Sequence, residues 1–185
     1  MNGACMFTGH RPKYLAWGYK VSESSMSTAE LVEYSFCVRA IDKAIEYVYD
    51  QGVRVFYTGM ALGVDQLAAI RVDRFMATHE DVSLVGYIPC YEYEGKWPLA
   101  AQQMYLNILT TCCDEWFFVT DKEYTYTDVL NKRNHAMVED CEFCIAIMDT
   151  TQKKGGTFNA VTYAKNLGKK ILIYGINDHK LRRLS

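Results

Sequence analysis

Apolar residues along this chain follow two spacings. Short continuous runs, Ala4-Cys5-Met6-Phe7 and Phe143-Cys144-Ile145-Ala146-Ile147-Met148, have the length of buried strands. Leu31, Tyr34, Val38, Ile41, Ile45 and Val48 instead recur at alternating steps of three and four, which sets them on one face of a helix. Read this way, strands are predicted over 2–8, 53–57, 82–89, 115–119, 143–148 and 170–174. Between them lie helical patterns: one running from a Ser27 or Thr28 cap to Gly52, and one through Leu67, Ala68, Val72, Phe75 and Met76. Others cover about 99–111 with Met104, Ile108 and Leu109 inward, 129–140, and 159–167 through Val161, Ala164 and Leu167. Residues 178–185 read as a short polar tail whose Lys180, Arg182 and Arg183 face solvent.

Strands alternating with helices predict an α/β fold, a mainly parallel sheet covered on both faces in three layers. Ligands of such sheets bind beyond the carboxyl ends of the strands. Three glycine-bearing turns follow strands and belong on that edge: Thr8-Gly9-His10-Arg11-Pro12, the stretch from Thr58-Gly59 to Gly63-Val64-Asp65, and Lys153-Lys154-Gly155-Gly156-Thr157. A glycine pair before a helix lets backbone N–H groups approach an anion that the positive helix end also favours. Arg11 offers a planar fork for phosphate or carboxylate. Asp65, in the first turn of its helix, suits either a ligand hydroxyl or a plain cap, and His10 suits packing as well as contact. Tyr91, Tyr93 and Trp97 can stack on a base or seal the edge of the core.

Composition narrows the partners. Half of the 185 residues are apolar, enough for one sizeable core and too few for two comfortable domains, so a single domain over 1–185 is expected. A net charge of −2 disfavours dependence on an anionic polymer. No apolar run approaches the roughly 20 residues of a membrane span, and the chain starts in a strand-like segment without a signal-peptide pattern, which predicts a cytoplasmic protein off the membrane. The seven cysteines are odd in number, and Cys5, Cys37 and Cys144 lie in apolar segments, so reduced thiols are expected. Cys141-x-x-Cys144 lacks a second ligand pair at zinc spacing, and neither a metal nor a cofactor is expected.

With these motifs in place the chain resembles the SLOG superfamily, the Rossmann-like group containing DprA and the LOG-type nucleotide hydrolases, and within it the YpsA-like branch, formerly a domain of unknown function. The resemblance rests on Phe7-Thr8-Gly9-His10-Arg11-Pro12, on Thr58-Gly59-Met60-Ala61-Leu62-Gly63-Val64-Asp65, on Pro89 with Trp97, and on Arg133 through Gly156-Thr157. It implies a pocket for a nucleotide or nucleotide-derived small molecule, such as a nucleoside phosphate or an ADP-ribose-like compound, bound as a sensor or regulator. The resemblance also suggests a homodimer, which apolar helix faces could support.

On that resemblance, Gly9, Gly59, Gly63, Gly155, Gly156 and Thr157 would shape a phosphate cradle, with His10 and Thr58 beside it. Arg11 and Arg133 would pair with the phosphate, Asp65 would take a ribose hydroxyl, and Tyr91 or Trp97 would cover the base. Two other readings stay open. LOG-type phosphoribohydrolases use an arginine, matched by Arg133, and a glutamate three residues after the loop threonine, where this chain has Ala160. Losing that carboxylate removes a principal electrostatic contribution to glycosidic cleavage, leaving Arg133 and Asp65 as catalytic candidates. DprA-like binding of single-stranded DNA would use Arg11, Lys132, Arg133, Lys153 and Lys154.

Overall fold

The computed structural model describes residues 3–20, 22–121 and 128–184. Outside them lie Asn2 of the first expected strand, Val21, residues 122–127 of the tyrosine-bearing loop, and Ser185 at the end of the expected polar tail. The observed strands are β1 (Gly3–Gly9), β2 (Val53–Thr58), β3 (Ser83–Ile88), β4 (Glu115–Phe118), β5 (Phe143–Met148), β6 (Lys170–Gly175) and β7 (Lys180–Arg183). The helices are α1 (Thr28–Asp50), α2 (Val64–Met76), α3 (Leu99–Thr111), α4 (Asp128–Asp140) and α5 (Gly156–Asn166). Ser27 starts α1 with a capping box: its hydroxyl accepts from the Glu30 amide at 3.3 Å, and the Glu30 carboxylate accepts from the Ser27 amide at 2.7 Å.

All seven strands form one sheet in the order β4-β3-β2-β1-β5-β6-β7, parallel except for the last pair. Helices α1, α2 and α3 cover one face, and α4 and α5 cover the other. The strand alternation follows directly: Phe143, Ile145 and Ile147 of β5 enter one core, while Cys144, Ala146 and Met148 enter the other. Each large aliphatic chain buried this way contributes about 1.5–3 kcal/mol. This is the three-layer arrangement that the alternating pattern predicts, and it is Rossmann-like as the resemblance implies.

The chain builds outward from β1 to β4, then returns through α4 to lay β5 on the other side of β1. That reversal puts a topological switch point at the carboxyl ends of β1 and β5, the position where open α/β sheets take their ligands.

The expected polar tail is corrected by the structure. Residues 180–183 form an antiparallel edge strand, with Leu172 opposite Arg183 and Tyr174 opposite Leu181. Gly175 accepts the His179 amide at 2.8 Å, and His179 turns the chain at φ +54°. Arg182 is half-buried and pairs with Asp178, and Arg183 lies over the Tyr47 ring, so these cations brace the edge. A charged edge strand carries little apolar signal because its charges discourage pairing with other chains. Smaller differences are that β2 extends to Thr58 and α5 begins at Gly156.

All seven cysteines are free thiols. Burial pushes Cys37 up to about 12 and Cys141 up to about 11, so these sulfurs behave as small apolar groups. Among the described residues, no helix is long and apolar enough to cross a membrane.

Candidate functional site

Strands β2, β1 and β5 are adjacent and parallel, so the three glycine turns leave from one edge of the sheet. The exit of β1 is locked to β5. His10 donates its backbone N–H to the Ile147 carbonyl at 3.1 Å, and its Nε2 accepts the Asp149 N–H at 2.8 Å. The imidazole is buried, its ring 5.0 Å from that of Tyr14. An accepting Nε2 requires the neutral ring with its proton on Nδ1. Arg11 donates to the Tyr93 hydroxyl at 3.1 Å, which ties this turn to the loop after β3.

The turn between β2 and α2 folds onto itself. The Thr58 hydroxyl donates to the Asp65 carbonyl at 2.9 Å and accepts the Met60 N–H at 3.2 Å. Asp65 Oδ2 accepts the Ala61 N–H at 3.3 Å. Gly63 has φ +101°, and a Cβ there would lie 2.5 Å from the His10 carbonyl oxygen, so the start of α2 presses on the β1 turn. A Cβ on Gly9 would lie 2.4 Å from Val64.

Arg133 reaches across from α4. Its Nη1 donates to the Gly59 carbonyl and lies 3.7 Å from Asp65 Oδ2, while its Nε donates to Asn134 Oδ1 at 2.9 Å. Both members of the pair are about 95% buried, with exposures of 4% for Arg133 and 5% for Asp65. The guanidinium fills the space that a side chain at Gly59 would need. Asn134 continues the line toward α5, its Nδ2 3.9 Å from where a Cβ of Gly156 would stand.

The third turn is built differently. Gly155 has φ +104° with nothing within 4 Å of its missing side chain, and Gly156 faces only Asn134. The first two turns are thus closed by Val64, Arg133 and the His10 carbonyl, whereas the turn at the start of α5 is open. Thr157 lies in the first turn of α5, and Lys153 and Lys154 are exposed beside it.

The aromatic candidates separate. Tyr91 is 59% exposed with its ring 4.0 Å from that of Phe118, whereas Trp97 packs edge-on against Tyr93 and Tyr105. Tyr93 is buried and forms the link to Arg11. Two cavities, of about 180 and 560 Å³, flank this edge, and neither is lined by His10, Arg11, Asp65 or Arg133.

Two contributors were not singled out in the sequence, Asn134 and Asp149. Asp149 acts through its backbone N–H, which no residue pattern reveals. Its carboxylate accepts both the Thr151 N–H and hydroxyl, a local turn signal that does lie in the sequence.

Electrostatics separate the two buried titratable groups. Burial pushes the Asp65 carboxyl above its ordinary value, against the opposing pull of Arg133, Arg11 and the Ala61 N–H. Burial also lowers His10 below 6.5, with Asp149 opposing. The unfolded chain therefore binds a proton at His10 before the folded chain does, so stability falls as pH drops through about 6.5 toward the folded value. A His10→Gln variant keeps an acceptor without the titration. Its urea-unfolding stability is expected to change less between about pH 7.5 and 5.5 than that of the parent; equal slopes would remove His10 from the pH response.

The fold is that of a Rossmann-like α/β protein with a topological switch point between β1 and β5. A family model described as the YspA SLOG family (YpsA) matches residues 5–178, and the chain belongs to that family. It is also 25% identical over 132 residues to a UPF0398 protein of Halalkalibacterium halodurans, covering 71% of this chain and 69% of that protein.

Proposed function

We propose that the protein binds a nucleotide or nucleotide-derived small molecule at the carboxyl edge of its sheet, as a sensor or regulator. The observation that carries this reading is the open Gly155-Gly156 turn at the start of α5, beside the switch point and within reach of Asn134. The free N–H groups of such a helix start favour a phosphate, and Lys153 and Lys154 add positive charge around it. Arg133 holds Asn134 and the β2 turn in place, and Arg11 is the cation that leaves β1 toward the same edge.

Binding is favoured over hydrolysis by the state of Asp65. A carboxylate that stabilises a developing ribosyl cation must face the sugar. Asp65 is instead buried against Arg133 and the Ala61 N–H.

The test is thermal unfolding against nucleoside mono-, di- and triphosphates, NAD, ADP-ribose and cyclic nucleotides, with product analysis of each hit. One of them is expected to raise the midpoint without being consumed, by mass action on the folded state. Release of a free base would establish the hydrolase instead. No shift with any of them, together with salt-sensitive binding of single-stranded DNA, would overturn the small-molecule reading.

A further inference from the structure

The last strand creates a second site. β7 extends the sheet beyond β6 on the α5 side, and α5 runs alongside. The result is a groove of about 560 Å³ between α5 and the β6–β7 edge. That volume lies within the range of small-molecule sites. Met148, Val161, Ile173 and Leu184 give it apolar walls, with Phe158 near the start of α5.

The polar lining has one sign of charge. Lys153, Lys165 and Arg182 border the groove, and none of the described residues lining it is acidic. Arg182 is held by Asp178, so the unbalanced charge comes from the two exposed lysines, one on the loop before α5 and one near its end. Lysine on a flexible stem can cover an apolar surface while presenting its ammonium to an anion.

We infer that this groove binds a small amphipathic anion, an apolar body carrying a single carboxylate or phosphate headgroup. The body replaces water on the apolar walls and the headgroup meets Lys153 or Lys165. A second copy of the chain is disfavoured as the occupant. Two such grooves meeting about a two-fold axis would face each other with linings of the same positive sign, and like charges across an interface cost affinity. The site shares Lys153 with the nucleotide reading but is otherwise distinct from it, because its walls lie along the side of α5 and its recognition does not use the glycine turn.

The test is a methyl-detected NMR titration of the full chain with decanoate and decyl phosphate, below their micelle concentrations, with decylamine and decanol as controls. At least one anion is expected to bind one-to-one and shift the methyls of Met148, Val161, Ile173 and Leu184. The Lys153→Glu/Lys165→Glu variant is expected to weaken that binding about tenfold, and decylamine to bind at least about tenfold more weakly than the anion. Thr162→Trp, which fills the groove from an exposed position on α5, is expected to block binding while the unfolding midpoint holds. Gly156→Ala is expected to leave the titration unchanged, which separates this site from the nucleotide site. No saturable shifts, decylamine binding as tightly as decanoate, shifts centred on other methyls, or dimerisation through the groove would each overturn the assignment.

Discussion

Replacing Arg133 with Met is expected to destabilise the protein by about 3 kcal/mol, and by more at high pH than at low pH. The guanidinium faces Asp65 at 3.7 Å and donates to the Gly59 carbonyl, with both side chains of the pair buried. Removing one partner leaves a carboxylate in low dielectric with the Ala61 N–H and the charge of Arg11 to compensate it. The Asp65 carboxyl is already raised by burial, and losing the Arg133 charge raises it further. A group raised in the folded state contributes stability that is present below its unfolded value of 3.8 and lost as pH rises through its folded value. The variant widens that window upward, so its deficit should be larger at about pH 8 than at about pH 5 in urea unfolding. Asp65→Leu in the same background removes the orphaned charge and is expected to restore most of the loss. A deficit that ignores pH and survives Asp65→Leu would mean that the pair does not hold this edge together.

The same pair shows where the sequence was legible. Strand and helix periodicity forecast the alternation, the parallel sheet and the common edge, because two-sided burial writes continuous apolar runs into strands and a three-four stripe into α1. Helix α3 falls where its pattern puts it, at Leu99–Thr111. β7 escaped because Lys180-Leu181-Arg182-Arg183 is stabilised by backbone pairing to β6 and by Asp178 and Tyr47, none of which requires apolar residues.

At the site, the motif residues were visible but their division of labour was not. Gly9, Gly59 and Gly155 look alike in sequence. What differs is the partner brought over each one, Val64 from α2, Arg133 from α4 and open space at the third. Those partners arrive through the fold, at sequence separations that no local pattern encodes. The aromatic residues divide for the same reason. Tyr93 and Trp97 are drawn into the core by Tyr105 on α3, whereas Tyr91 stays outside on Phe118.

That division makes the glycines a clean test of which turns are architecture and which is a ligand contact. Gly63→Ala meets two penalties, a backbone at φ +101° that an L side chain rarely adopts and a Cβ 2.5 Å from the His10 carbonyl. Together they are expected to cost about 2–4 kcal/mol, from backbone strain of about 1–3 kcal/mol plus overpacking. The start of α2 would have to lift off β1, loosening the His10 contacts with β5 as well. Gly156→Ala meets no such obstacle, since its Cβ finds only Asn134 at 3.9 Å and alanine favours the helix it begins. Its unfolding midpoint should stay within about 0.5 kcal/mol of the parent. If a phosphate rests on the open turn, the added methyl stands between it and the backbone N–H groups, and affinity for the nucleotide found by thermal shift should drop about tenfold or more. Gly63→Ala unfolding early while Gly156→Ala folds normally and loses the ligand would divide the edge into a structural half at β1–β2 and a binding half at α5. A Gly156→Ala protein that keeps full affinity would move the phosphate off this turn, to Arg11 and the β1 side of the switch point.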